Sequence, residues 1–132
     1  MDTTVIIDEF WFRLLVGIVI GLVLGSFTTM LSYRIPRKIS IVTPPSQCPN
    51  CNNPLKSIDL IPVVSWIIQR GKCRYCRAPI PYRYIVIELV TTAAIATSFI
   101  IFGFTPQLIV AMTGTIAFVT LATINLDRNK DG

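Results

Sequence analysis

The chain has 132 residues, 52% of them hydrophobic and 14% charged, with a formal net charge of +5. A mean hydropathy of +0.63 is too apolar for an ordinary soluble domain and points to a membrane protein.

Residues 1–9 form an acidic tail (Asp2, Asp8, Glu9) of net charge −3. The segment 10–33 exceeds the about 20 residues needed to cross a hydrocarbon core. It carries one charge, Arg13, near its outer end, and opens on Phe10, Trp11 and Phe12, an interfacial aromatic anchor. A secretory signal peptide would have a basic start and a shorter apolar run, so this segment reads as a retained membrane helix. Gly17, Gly21 and Gly25 recur every fourth residue. Such a small-residue stripe is a helix-packing face, expected here to seat the first span against the third.

Residues 34–83 hold nine of the twelve basic residues and a single acid, Asp59, for a net charge of +8. The positive-inside rule then places this loop in the cytoplasm and residues 1–9 outside. Two more spans follow, 84–104 with Glu88 inside it and 106–126 with no charge. They read as a hairpin turning outside around Gly103 to Pro106. The tail 127–132, with Arg128 and Lys130, returns to the cytoplasm. The expected fold class is an all-α membrane protein of three transmembrane helices, with a cytoplasmic zinc-ribbon loop between the first and second.

The ribbon rests on Cys48-Pro49-Asn50-Cys51 and Cys73-Arg74-Tyr75-Cys76, which contain the only four cysteines. Two residues between thiolates let one knuckle aim both sulfurs at a single ion, and two knuckles complete a tetrahedral site. The 21 residues from Asn52 to Lys72 allow a small ribbon to fold back on itself. Two disulfides are the competing reading, but thiols on the cytoplasmic side stay reduced, which favours a metal, and zinc among metals. The loop is rich in proline (Pro36, Pro44, Pro45, Pro49, Pro54, Pro62, Pro79, Pro81) and has little core of its own, so a structural metal would supply what packing does not. Between the knuckles, Ile58 to Ile68 is mostly apolar, including Leu60, Ile61, Val63, Val64, Trp66 and Ile67. It reads as a helix or hairpin covering the ribbon, with Trp66 and the isoleucines against the membrane interface and Arg70 and Lys72 on headgroups. A basic zinc ribbon also suits RNA. Topology alone requires a basic loop here, however, and the anionic inner leaflet is the nearest polyanion, so membrane lipids are the expected partner rather than nucleic acid.

These residues carry a family resemblance. Gly25-Ser26-Phe27-Thr28-Thr29-Met30-Leu31-Ser32-Tyr33-Arg34-Ile35-Pro36 resembles the G-S-F-x-N-x-x-x-Y-R-x-P signature of bacterial type IV prepilin peptidases. The two cysteine pairs follow at that family's spacing. Asp59-Leu60-Ile61-Pro62-Val63-Val64-Ser65-Trp66 is similar to D-x-I-P-V-x-S-W, and Arg70 to Cys76 with Ala78-Pro79-Ile80 to R-G-x-C-R-x-C-x-x-x-I. Arg83-Tyr84-Ile85-Val86-Ile87-Glu88-Leu89-Val90-Thr91 resembles R-Y-P-x-V-E-L-L-T. Five ordered matches over residues 25–91 are highly specific. The resemblance implies a multi-pass inner-membrane enzyme that removes the leader from prepilins and pseudopilins and methylates the new N-terminus from S-adenosylmethionine. Its peptidase half uses two aspartates, one after the third span in an I-D-x-x-x-x-x-I-P pattern and one in a later G-x-G-D. The pair shares a proton, so that one carboxylate activates water while the other protonates the peptide.

The chain departs from this pattern. It contains no G-x-G-D. The ungapped match sets Thr123-Ile124-Asn125-Leu126-Asp127 against the family's I-D-x-D run, which puts Asn125 at the catalytic position, and a carboxamide is no general base. A shift of two residues makes Asp127 the catalytic aspartate, and the sequence leaves both registers open. Ile85 and Thr29 replace a family proline and asparagine without disturbing the fold. Asp127 to Gly132 also reads as D-x-N-x-D-G, half an EF-hand loop without its closing glutamate; a solvated juxtamembrane tail is the expectation, not a calcium site. Glu88, an intramembrane carboxylate, either faces a functional cavity or pairs with Arg83 or Arg34. By resemblance it lies in the methyltransferase region and is the candidate residue there. Two functions follow for this N-terminal half. It belongs to a prepilin-processing enzyme, with a G-x-G-D half elsewhere or on a separate chain. Alternatively, it is a non-catalytic membrane adaptor or split-enzyme subunit in pilus or secretion-system assembly. The 132 residues alone are not expected to cleave a prepilin.

Overall fold

A computed structural model describes every residue except Met1, Pro44, Ser46, Pro49, Pro62 and Gly132, and every described side chain except those of Ser57, Leu60 and Asp131. Met1 of the expected topology, three of the loop prolines, the Leu60 side chain and the end of the EF-hand-like run therefore lie outside the described residues. Helix α1 spans Thr3–Arg34; a 3₁₀ turn at Ser57–Leu60 and the short helix α2 at Val64–Ile68 punctuate the loop; α3 spans Arg83–Phe102 and α4 Pro106–Asp131. Among the described residues, extended pairing is limited to two isolated bridges, Gln47 with Pro54 and Lys72 with Pro79.

Helices α1, α3 and α4 are long and apolar enough to cross a membrane, the make-up of a multi-pass membrane protein. Their surfaces agree with that. Leu15, Val23, Ile101, Val110 and Phe118 are 60–74% exposed, whereas Thr28, Ser32, Thr91 and Thr120 are buried. Apolar side chains outward and small polar ones inward is the arrangement of helices packed in lipid. The buried threonine and serine hydroxyls of α1 bond back along the helix, Thr28 to the Leu24 carbonyl at 2.8 Å and Ser32 to that of Thr28 at 2.9 Å.

Helix α1 begins well ahead of the expected span. Val5, Ile6 and Ile7 extend its apolar run, and Glu9 pairs with Arg13 one turn on, so the acidic tail is itself helical from Thr3. At the other end α4 carries the expected 127–132 tail as helix through Asp131. The hairpin between α3 and α4 turns at Gly103, whose φ of +59° with ψ of −149° is a conformation essentially reserved for glycine. Pro106 then opens α4, where its missing N–H costs nothing.

The glycine stripe packs against α3, the second span, and not against the third as the sequence reading had it. A Cβ on Gly17 would stand 2.8 Å from Ala96 Cα, on Gly21 2.8 Å from Thr92 Cα, and on Gly25 3.0 Å from Glu88 Cα. The two sets run antiparallel at four-residue steps. The reason is complementarity: α3 presents a backbone-accessible row at Glu88, Thr92 and Ala96, which lets the helices meet closely. On α4, Gly114 has nothing within 4 Å of its Cβ position. Helix α4 closes the bundle differently, through Leu108 and Met112 against Ile95, Phe99, Val16 and Ile20.

Candidate metal centre

The two knuckles are built alike. In the first, the Cys48 N–H donates to the Asn53 carbonyl (3.1 Å) and the Asn52 N–H to the Cys48 carbonyl (2.8 Å). In the second, the Cys73 N–H donates to the Ala78 carbonyl (2.9 Å) and the Arg77 N–H to the Cys73 carbonyl (3.0 Å). Each turn needs a left-handed residue just after its second cysteine, and Asn52 and Arg77 both sit at φ +57°. Asparagine tolerates this region; arginine does so at a cost of roughly 1–2 kcal/mol.

The four sulfurs all lie within 4.8 Å of one another, with Cys48 to Cys76 at 3.7 Å and Cys51 to Cys73 at 4.0 Å. A tetrahedral site with Zn–S bonds of about 2.3 Å has sulfur–sulfur edges of about 3.8 Å, so the thiol set fits such an ion. All four cysteines are free, and Cys48 and Cys73 are buried. Thiols this close do not all ionise without a cation between them. Cys76 is pulled down to about 6, first by the Asn50 side-chain amide and then by the Ala78 N–H. Cys51, despite the Asn53 N–H that favours its thiolate, is pushed up to about 11 by burial and the other sulfurs.

Behind the sulfurs lies Asp59, the loop's sole acid and the first residue of the stretch similar to D-x-I-P-V-x-S-W, for which the sequence suggests no partner. The Asp59 side chain is 2% exposed. Its carboxylate accepts the Lys56 N–H (3.1 Å), the Gln69 amide (3.1 Å) and the Tyr75 hydroxyl (3.0 Å), and pairs with Arg74 Nε at 2.9 Å. It thereby joins the 3₁₀ turn, the end of α2 and the second knuckle. Burial raises its pKa, but the Lys56 N–H, Tyr75 and Arg74 outweigh that and hold it below its ordinary 3.8. Trp66 is half-buried, its ring against Gly71 and its indole Nε1 buried. Its ring packs within the ribbon, and Val64, Ile67 and Ile68 are the exposed apolar residues of α2, the two isoleucines the most so.

The ribbon is fastened to the bundle at Glu88. Its Oε2 accepts the N–H of Val63 at 2.8 Å, and Arg83, one of the two arginines the sequence offers it, is engaged elsewhere. Val63 sits at φ +62° and ψ −49°, a strained conformation for a β-branched residue, worth about 1–3 kcal/mol. Arg83 instead pairs with Asp127 at 2.5 Å and so ties the start of α3 to the end of α4. Asp127 is half-buried toward α3, while Asn125 is exposed on α4. A cavity of about 20 Å³, room for roughly one water, lies beside this pair among Thr29, Ser32, Tyr33, Arg37, Arg83 and Tyr84. The structure thus gathers the four cysteines into one centre, and gives Glu88 and Asp127 separate partners.

Three lipid-compatible helices carrying a tetrathiol ribbon on one interhelical loop define a multi-pass membrane protein whose clustered thiols could hold a metal ion. Residues 19–102 match the bacterial peptidase A24 N-terminal domain, and the chain belongs to that family. It is 39% identical over 110 residues to a prepilin leader peptidase/N-methyltransferase of Myxococcus xanthus (83% of this chain, 33% of that protein). To the protein of the same name from Bacillus subtilis it is 39% identical over 106 residues (80% and 41%). To that of Legionella pneumophila it is 29% identical over 151 aligned positions (97% and 53%). The chain therefore spans about a third to a half of the length of the curated relatives it matches. No solved structure matches it.

Proposed function

We propose that the chain is the membrane-anchoring and zinc-binding half of a prepilin leader peptidase/N-methyltransferase. On this reading it lies in the bacterial inner membrane with residues 1–9 outside and the ribbon and C-terminal residues in the cytoplasm. The zinc is structural, held by Cys48, Cys51, Cys73 and Cys76. The hydrophobic N-terminal segments of prepilins or pseudopilins are its substrates. One observation carries the proposal: three of the five family-matching stretches converge, since Gly25 of α1 packs on Glu88 of α3 and Glu88 holds Val63 of the ribbon.

Asp127 is the proposed aspartate of this half, in preference to Asn125. It is the carboxylate turned toward α3 and seated by Arg83, whereas Asn125 is exposed. Aspartyl proteolysis needs a second carboxyl group to share the proton, because one carboxylate does not serve as base and acid together. No G-x-G-D occurs in these residues. The alternative reading is a non-catalytic adaptor or split-enzyme subunit in pilus or secretion-system assembly. Methyl transfer, with S-adenosylmethionine as donor, belongs to the region of Glu88, which acts there by holding the ribbon against α3. The test is to incubate the purified chain in lipid with a prepilin, with and without a partner carrying the G-x-G-D half. Leader removal is expected only with the partner, and only while Asp127 is intact. Cleavage by the chain alone, or by the Asp127→Asn variant with the partner, overturns the assignment. If the partner yields no cleavage with the parent chain, the adaptor reading stands instead.

A further inference from the structure

The second knuckle and α2 form a basic groove that the metal site does not explain. A groove of about 510 Å³ is lined by Ile68, Arg70, Lys72, Arg74 and Arg77 around Gln69 and Cys73. All four cations are exposed. Arg74 uses its Nε on Asp59, while Arg70, Lys72 and Arg77 have no partner among the described residues. Two of these arginines hold left-handed backbone, Arg70 at φ +54° and Arg77 at +57°. The first knuckle fills the position equivalent to Arg77 with Asn52, which suits that conformation. Metal binding asks nothing of the side chain there, so a strained arginine at the groove calls for another role.

The placement supplies one. Glu88 lies five residues into α3, about 7.5 Å of helix rise beyond Arg83, and its carboxylate holds the residue just before α2. The residue preceding α2 is therefore held against the second turn of a membrane span, which brings the start of α2 near the bilayer surface. There the helix turns out Ile67 and Ile68, 61% and 67% exposed, immediately before the groove cations. Apolar residues at the acyl boundary flanked by unpaired cations are the make-up of an interfacial element that prefers anionic lipid.

We propose that α2 and the second knuckle form a docking surface for anionic phospholipid, with Ile67 and Ile68 inserted at the acyl boundary and Arg70, Lys72 and Arg77 on headgroup phosphates. The inference rests on the membrane-spanning assignment of α1 and α3 and is independent of any prepilin chemistry. The zinc-loaded full chain is placed in lipid nanodiscs of phosphatidylcholine alone or mixed with phosphatidylglycerol, and amide hydrogen exchange is followed over residues 64–80. Exchange is expected to slow several-fold in the anionic discs, the difference shrinking at high salt. It should vanish in the Arg70→Gln/Lys72→Gln/Arg77→Gln variant with its zinc content unchanged. Should that variant lose its zinc, Arg70→Lys/Arg77→Lys keeps the charge and is expected to keep the lipid-dependent slowing. Equal exchange in the two disc types overturns the proposal. So does a lipid-dependent difference that survives in a zinc-loaded triple-glutamine variant, or its loss in a zinc-loaded double-lysine variant. Protection by an RNA oligomer in phosphatidylcholine discs, with none from phosphatidylglycerol, makes the groove a nucleic-acid site instead.

Discussion

One methyl group at Gly21 measures how closely α1 and α3 must approach. A Cβ there would stand 2.8 Å from Thr92 Cα and 3.1 Å from the Thr92 carbonyl oxygen. Both are backbone atoms, so no rotamer change relieves the clash. The helices must part by roughly 0.6 Å to bring the nearer contact to 3.4 Å, where ordinary van der Waals distances begin. A gap of about 0.5–1 Å forfeits a quarter to a half of each facing pair's attraction. Because Gly17 and Gly25 seat on the same row of α3, their contacts loosen in step. Overpacking of this kind costs about 1–3 kcal/mol, and Gly21→Ala should destabilise the protein by that amount. Gly114→Ala is the control: its Cβ meets nothing within 4 Å, and alanine is the better helix former by about 1 kcal/mol. Unfolding in mixed micelles by SDS titration, followed by circular dichroism, reads both. Parental stability in Gly21→Ala, or equal losses at the two positions, refutes the close-packing argument.

The purified protein should hold one zinc per chain by elemental analysis, and any single Cys→Ser change at Cys48, Cys51, Cys73 or Cys76 should lower that content while leaving membrane insertion intact; two disulfides and no zinc by mass spectrometry would be the contrary result. Zinc should leave as the medium is acidified, because the ligands are thiolates, and chelator competition across a pH series follows the release. Asp59→Asn replaces a four-fold acceptor with one that has a single acceptor oxygen, so it should weaken the ribbon by about 1–3 kcal/mol and speed zinc extraction by a chelator relative to the parent. The Asp59 carboxyl titrates below its ordinary 3.8 in the fold, so its contribution is present above about pH 4 and is lost only as pH falls through that lower value. Val5→Cys, on the exposed start of α1, should react with an impermeant maleimide added to intact cells, and protection of that site would show the orientation to be reversed.

The spans and the clustering of the four cysteines were legible because each rests on a pattern with one physical meaning. A run of apolar residues long enough for a bilayer, or paired cysteines two residues apart, admits few alternatives, and the thiols of Cys48, Cys51, Cys73 and Cys76 do converge. The partner of the glycine stripe was not legible. Spacing shows that Gly17, Gly21 and Gly25 form a face, but the choice between α3 and α4 depends on what each offers in return. The deciding row of Glu88, Thr92 and Ala96 includes a glutamate that composition alone would not count as small. It serves because its backbone, rather than its side chain, meets Gly25. The seat of Trp66 was likewise not legible: Gly71 at φ +71° makes room for its ring within the ribbon.

Asp59 and Glu88 show what sequence patterns leave out about charged groups. A pattern-based reading looks for opposite charges, and so offered Glu88 the arginines nearby. Each carboxylate meets a backbone N–H made available by local chain geometry: Val63 at a positive φ for Glu88, and Lys56 at the 3₁₀ turn for Asp59, in addition to its pairing with Arg74. Such donors carry no signature, since every residue but proline has one. They become visible only once the turn that frees them is placed. The consequence is that the cysteine ribbon and the membrane bundle form one unit. The strain at Val63 is sustained by a bond from the second turn of α3, and α3 is in turn held by backbone contact with Gly25 of α1. A change in helix packing at Gly25 should therefore be felt at α2, a full loop away in sequence, before it is felt at the sulfurs.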